Sequence, residues 1–186
     1  MNRPSQVLSI LIAALAFLGC QQNTDKVDSG GVRLSISDFD GLPVRINTVD
    51  PLTGQLTTIA QIGTITVQSI ILDPSSPTSD LMTVEIRSYE VTFTRSDTGT
   101  RTPPKLVEAD FGNVSPGGTF TLNNGVFMRA DQFLNPPLSD LANFGRDTET
   151  GSEVVKLTVG IRFFGKTLSG KEVDSTPGYF TLEIVP

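Results

Sequence analysis

Apolar and polar residues alternate along several segments of the chain, which is the pattern of strands with one buried face. Val32, Leu34 and Ile36 begin the first segment, and residues 153–164 carry an apolar side chain at every odd position from 155 to 163. Segments rich in Gly, Pro and Asp separate them, as expected of turns. The predicted strands cover residues 32–37, 44–46, 56–62, 64–72, 82–95, 120–130, 153–164 and 180–184.

The segment 82–95 carries a change of phase in its alternation. Its first apolar residues, up to Ile86, fall on even positions, and those from Tyr89 onward fall on odd positions. One extra residue would turn the second group to the opposite face unless the strand bulges or bends. We therefore predict a bulge near residues 87–88, or a strand that belongs to a different sheet at each end.

Residues 131–144 are the one helical candidate. Leu134, Leu138, Leu141 and Phe144 recur at spacings that place them on one helical face. Because proline can open a helix but cannot lie within one, the Pro136-Pro137 pair predicts a helix of two turns that begins near residue 137. We expect this helix to pack as a crossover between two sheets.

The composition agrees with an all-β fold. Only four alanines lie beyond residue 20, whereas the chain has 22 threonines, 17 glycines and 12 prolines. Alanine favours helices, and threonine favours strands. We predict a two-sheet sandwich of the immunoglobulin or fibronectin III type with one short crossover helix, formed by residues 32–186. Residues 32–62 are left open as a separate β-hairpin unit.

The N-terminus has the pattern of an export signal. Arg3 gives a positive start, and an apolar stretch from Val7 to Leu18, interrupted only by Ser9, precedes Gly19-Cys20. This stretch is short for a membrane span, for which about 20 residues are needed, but suits a signal peptide.

The end of this stretch, Phe17-Leu18-Gly19-Cys20, resembles the lipobox of bacterial lipoproteins. The resemblance implies a signal peptide over residues 1–19, and acyl chains, palmitate among them, that anchor Cys20 to a membrane. Residues 21–31 are mostly polar and predict a flexible tether. Gln21, rather than Asp, implies the outer membrane if the source is Gram-negative. An ordinary signal peptide cut nearby, or an uncleaved anchor, remain the alternatives.

The second half of the chain resembles uncharacterised exported immunoglobulin-like lipoproteins. The similar segments are residues 89–97, 137–141, 164–165 and 170–173. This resemblance implies a fold and a location but no activity.

The residue counts exclude several kinds of chemistry. The chain has no histidine and one cysteine, so Ser-His-Asp catalysis, intramolecular disulfides and Cys-rich zinc sites are excluded. Beyond residue 19, 13 Lys and Arg stand against 20 Asp and Glu, a net charge of about −7. Nucleic-acid binders need a basic surface, so we expect no nucleic-acid partner.

Two motifs suggest a bound ligand only weakly. Residues 165–172 fit the start of a phosphate-binding loop, but Glu172 stands where a Ser or Thr should bind Mg²⁺, and a strand is predicted after it. We therefore predict a β-hairpin loop and no nucleotide or other cofactor. Asp38 and Asp40 precede a glycine, as in part of a calcium loop, and are weak metal candidates. Other loop carboxylates considered for calcium are Asp73, Asp80, Asp147 and Glu149.

The sequence therefore favours a lipid-anchored binding or adhesion module of the cell envelope that has no catalytic activity. The expected contact elements are residues 97–107 and 123–150, because both are long for hairpin connections. One alternative is a structural subunit of a secretion or pilus-type complex. Another is an exported hydrolase that uses paired carboxylates.

Overall fold

The computed structural model describes residues 31–186, which form nine strands and two short α-helices. The all-β prediction is confirmed. The elements are β1 (Val32–Asp40), β2 (Arg45–Asn47), β3 (Ile59–Ile71), a 3₁₀ turn (Asp80–Met82), β4 (Val84–Arg95), β5 (Leu106–Val114), β6 (Thr119–Arg129), α1 (Ala130–Phe133), α2 (Leu138–Phe144), β7 (Val155–Thr167), β8 (Glu172–Thr176) and β9 (Gly178–Val185). None of the helices in this part of the chain is long and apolar enough to cross a bilayer.

The strands form two groups of hydrogen-bonded neighbours, which we call ladders, and β8 pairs with a strand of each. One ladder has the order β6–β3–β1, and the other has the order β2–β9–β7–β4–β5. β8 pairs antiparallel with β7 and parallel with β1, and so connects the two. β1 pairs with β3, and β2 with β9, so residues 32–62 are paired into the rest of the domain and do not form a hairpin unit of their own.

The inner faces of the two ladders meet in one apolar cluster. The Phe127 ring of β6 contacts the Phe180 ring of β9 at a centroid distance of 5.5 Å. The Tyr89 hydroxyl of β4 donates to the Val126 carbonyl oxygen of β6 at 2.7 Å. The odd-numbered apolar residues of β7, ending at Phe163, are all fully buried, as their alternation predicts.

The predicted bulge in β4 is confirmed. Pairing with β7 changes register between Ile86 and Ser88, and Arg87 is the extra residue of β4 there. Pairing with β5 also shifts at this point, but the extra residue then lies in β5, where Asp110 and Phe111 stand opposite Arg87. The bulge restores the phase, because Ile86 and Tyr89 are both buried. The strand also remains within one ladder along its whole length.

The predicted helix is confirmed in position but only partly in its buried face. α2 begins after Pro137 and ends at Phe144, and the next residue, Gly145, has a φ of 68°, in the left-handed region that glycine adopts readily. Leu138 and Leu141 are buried, whereas Leu134 and Phe144 are 60% and 65% exposed. Leu134 lies outside α2, and Phe144 is its last residue, so neither faces the core. The segment crosses from β6 in one ladder to β7 in the other, as predicted.

Two other segments differ from those predicted. The chain continues through Gly63 without a break, because β3 is a single strand. Residues predicted as irregular form β5. β5 has no clear alternation of apolar residues, since its half-buried positions include the carboxylates Glu108 and Asp110.

The connections divide the domain into two ends. We call the end that contains Gly31 and the loops 72–83, 115–118 and 168–171 the proximal end. The distal end contains the loops 41–58 and 96–105 and the segment 130–154. Strand β7 runs from the distal to the proximal end, and its 13 residues correspond to about 40 Å at roughly 3.3 Å per residue.

Candidate binding surface

An ion network joins the two distal segments that the sequence predicts as contact elements. Arg95, at the end of β4, has a side chain only 3% exposed, and its guanidinium donates to both carboxylate oxygens of Asp97, at 2.6 and 2.9 Å. The same guanidinium donates to Asp147 Oδ2 at 2.9 Å. Asp147 is fully buried, so this contact ties the segment before β7 to the end of β4.

Arg101 makes the second connection, from the middle of the loop 96–105. Its guanidinium donates to Asp147 Oδ1 at 2.9 Å and to Asp140 Oδ2, in α2, at 2.8 Å. Its backbone N–H donates to Glu149 Oε2 at 3.0 Å. Asp147 therefore accepts from both arginines, one on each of its oxygens, and the loop is bound at several points to the segment 140–149.

The carboxylates of this network stay ionised down to strongly acidic pH. Burial alone would raise the pKa of Asp147, but hydrogen bonds from Arg95, from the Glu149 backbone and from Thr150 overcome this and lower it to about 2. Hydrogen bonds from Thr100 and from the Arg101 backbone lower the pKa of Glu149 to about 2. Both side chains are therefore fixed anionic partners of the arginines and are not poised to transfer protons near neutral pH.

Beside this network the distal end presents an exposed aromatic ring and a cleft. Phe144 is 65% exposed at the end of α2, and Arg146 follows it on the surface. The cleft has a volume of about 600 Å³, and Phe144, Gly145, Arg146, Thr148, Gly151 and Glu153 line it. Thr148 also accepts a hydrogen bond from Arg101 at 2.9 Å, so the cleft and the ion network share a residue. Exposed aromatic and arginine side chains are the types that contribute most to protein interfaces.

The residues considered for calcium do not come together. Asp38 and Asp40 are exposed near the end of β1, where Asp40 Oδ1 accepts from the Gly41 backbone at 2.8 Å. Asp73 accepts from Ser75 and Ser76 within its own loop. Within residues 31–186, no group of three or more histidine, cysteine, aspartate or glutamate side chains is placed to hold a metal ion. In the network, arginine occupies the place beside Asp147 that a cation would take.

The two remaining sequence motifs have different outcomes. Residues 165–172 lie in the hairpin between β7 and β8, as predicted, and a strand rather than a helix follows them. Backbone N–H groups at a helix N-terminus are thus not available there to hold phosphate. Cys20, the predicted lipidation site, lies outside the described residues.

Arg95 and Arg101 are members of the site that the sequence pattern does not predict. Arg95 lies 52 residues from Asp147, and Arg101 lies 39 from Asp140, so no local spacing relates them. The available signal was indirect, namely two long connections that both contain several charged residues and threonines. Comparison with family models, with curated proteins and with solved structures finds no match.

Proposed function

We propose that this chain is a lipid-anchored binding module of the cell envelope, without catalytic activity, that engages a partner through its distal end. In this proposal, residues 1–19 are a signal peptide, Cys20 carries the lipid, residues 21–31 are a tether and residues 32–186 are an immunoglobulin-like sandwich. The acidic balance of the chain supports a protein or other envelope partner over nucleic acid or nucleotides.

The order of the strands supports the immunoglobulin-like assignment. Constant-type immunoglobulin sandwiches place their first, second, fourth and fifth strands in one sheet and their third, sixth and seventh in the other. With the short strands β2 and β8 left out of the count, β1, β3 and β6 match the first, second and fifth strands, and β4, β7 and β9 match the third, sixth and seventh. The fourth strand departs from this pattern, because β5 pairs with β4. Such sandwiches commonly present their binding loops at one end.

One observation carries the binding proposal. The loop 96–105 and the segment 130–154 contain most of the two elements predicted to contact a partner, whereas residues 106–107 and 123–129 belong to β5 and β6. The loop and the segment lie at the same end, are joined by ion pairs to the buried Asp147, and are opposite the end that contains Gly31. A surface that is already rigid loses less conformational entropy when it binds, so this arrangement favours recognition. A membrane anchor at the N-terminal side would leave the distal end facing away from the bilayer.

The anchor is tested by mass spectrometry of the N-terminal peptide from the purified protein. We expect Cys20 to be the first residue and to carry diacylglycerol and a further acyl chain. An unmodified Cys20, or cleavage at another position, contradicts the lipoprotein assignment. Fractionation of a Gram-negative source tests the expected outer-membrane location in the same preparation.

The binding surface is tested by crosslinking in intact cells followed by purification of the crosslinked species. Phe144→Ala is the test variant and Phe111→Ala the control, because Phe111 is an exposed ring on β5, outside the distal loops. Loss of an interface anchor costs more than about 1 kcal/mol, so we expect crosslinking to fall about fivefold or more in Phe144→Ala alone.

The identity of the crosslinked species decides between the functional alternatives. An extracellular ligand supports adhesion, whereas a stable stoichiometric envelope partner would favour a structural subunit. Equal crosslinking of both variants would refute the distal surface, and the absence of any partner would move the search to hydrolase screens.

A further inference from the structure

Three leucines are exposed on loops at the proximal end. Leu72 follows β3, Leu81 lies in the 3₁₀ turn before β4, and Leu168 follows β7. Their side chains are 56%, 43% and 50% exposed, respectively. We call Leu72, Leu81 and Leu168 the leucine surface.

Backbone hydrogen bonds hold the loop of Leu168 to the turn of Leu81. The Leu168 N–H donates to the Thr83 oxygen at 3.0 Å, and the Ser169 N–H donates to the Leu81 oxygen at 3.0 Å. Met82, next to Leu81, is buried and fixes this turn to the core. Leu81 and Leu168 therefore lie exposed on two loops that are bound to each other, and Leu72 lies at the start of the loop 72–83, which contains Leu81.

The N-terminal side of the chain enters the domain at the same proximal end. The Leu72 N–H donates to the Gly31 oxygen at 3.1 Å, so the first described residue lies directly beside the leucine surface. Eleven residues, 21–31, separate Cys20 from the strand β1. Fully extended, they span at most about 40 Å, and as a flexible polar chain their average end-to-end distance is roughly 20 Å.

We infer that the leucine surface rests on the bilayer that holds the anchor, so that the domain stands upright on the membrane. This inference rests on the proposed lipidation of Cys20. The short tether keeps the leucines at a high effective concentration near the lipid, so a contact too weak to bind vesicles alone becomes populated. With a strand length of about 40 Å, the distal surface then lies roughly that far above the headgroups.

The charged side chains at the proximal end balance one another, which favours contact with neutral, zwitterionic lipid. Lys166 pairs with Glu172 at 3.3 Å, and Asp73 is engaged by the serines of its loop. The remaining exposed groups, Asp80 and Lys171, are of opposite sign. No excess of basic side chains is present in these loops to attract anionic lipid, so burial of the leucine side chains is the driving contribution.

The test uses the full lipidated protein in phosphatidylcholine vesicles. In the proposal Cys20 is acylated, so a cysteine introduced by Leu168→Cys or Leu81→Cys is the free thiol and takes an environment-sensitive fluorophore. Leu52→Cys is the matched control, since Leu52 is an exposed leucine in a distal loop. We expect labels at 81 and 168 to shift to shorter emission wavelength and to be quenched at least threefold more by lipid-borne quenchers than the label at 52.

A second set of variants tests whether the leucines cause this orientation. With the label at Lys171→Cys, Leu72→Ser, Leu81→Ser and Leu168→Ser together should reduce lipid quenching at least threefold, whereas Leu52→Ser should not change it. All three leucines are substantially exposed, so the fold is expected to survive, and circular dichroism checks it. Quenching that is equal at all positions, or unchanged in the triple variant, overturns the inference.

The mass of the N-terminal peptide, measured on the same sample, separates this result from the proposal on which it depends. Lipidated Cys20 with unquenched leucine labels overturns the upright orientation alone. Unlipidated Cys20 overturns the anchor, and the orientation falls with it.

Discussion

Removal of the Asp147 carboxylate is the sharpest test of the ion network. Its two oxygens accept four hydrogen bonds, from Arg95 at 2.9 Å, Thr150 at 2.8 Å, Arg101 at 2.9 Å and the Glu149 backbone at 3.0 Å. Asp147→Ala removes all four and leaves the buried Arg95 with one carboxylate fewer. The variant therefore removes the junction between the loop 96–105 and the segment before β7.

The expected loss in the free energy of unfolding depends on which charges keep a partner in the variant. Breaking a buried ion pair costs about 3–5 kcal/mol, because the remaining charge is left uncompensated. Arg95 keeps Asp97, and the Arg101 side chain is 37% exposed and so partly hydrated. We therefore expect the lower end, about 3 kcal/mol, which corresponds to roughly 6–12 °C in melting temperature for a domain of this size.

Urea and thermal unfolding followed by circular dichroism measure this loss. Asp38→Ala is the control, because it removes the same charge from an exposed position, and we expect a change within about 0.5 kcal/mol. If Asp147→Ala is no less stable than Asp38→Ala, the network does not hold the distal loops, and the argument for a rigid binding surface fails.

Three further predictions concern pH and packing. The pKa values of Asp147 and Glu149 in the folded protein are about 2, below those expected for the unfolded chain. The stability that these carboxylates contribute is therefore present above about pH 4.5 and is lost as the pH falls toward 2. The urea midpoint should fall across this window, and it should fall less steeply in Asp147→Ala. Tyr89→Phe removes the hydrogen bond to Val126 between the ladders and should cost about 1 kcal/mol in urea unfolding. Gly165→Ala should lower the melting temperature, since a Cβ there would lie 2.5 Å from a backbone oxygen of β4; an unchanged melting temperature would contradict the close strand approach.

Strand positions with a regular apolar pattern could be predicted well. In β4, the phase change between Ile86 and Tyr89 predicted the bulge at Arg87, because only an extra residue keeps both groups in the core. β5 was not predicted, because its apolar residues do not alternate regularly. Its half-buried positions include Glu108, which pairs with Arg129 of β6, so the residues that face the neighbouring ladder are partly polar.

The helical segment shows how an apolar pattern can mislead. Four apolar residues share the predicted face, but only Leu138 and Leu141 lie within α2 and on its buried side. The pattern does not distinguish a core contact from an exposed apolar residue at a helix end. At Phe144 this error is informative, because the exposed ring became part of the candidate binding surface.

The ion network could not be predicted, because it depends on tertiary contacts. The loop carboxylates Asp147 and Glu149 were recognised only as weak calcium candidates. Which cation they meet depends on how the loop 96–105 folds over α2, and that is set by the crossover between the ladders rather than by spacing along the chain. The arginines give the same carboxylates a structural role, in which the charge is fixed and the loops are held in place.

The positions of Asp147 and Phe144 allow the rigidity of the distal loops and the binding of a partner to be tested separately. Asp147 is buried and holds the loops, whereas Phe144 is 65% exposed. Loss of Phe144 should therefore remove partner contact at unchanged stability, while loss of Asp147 should weaken both, because a mobile loop must be ordered again on binding. In the proposed function, the contribution of the ion network is therefore preorganisation, which lowers the entropic cost of binding a partner.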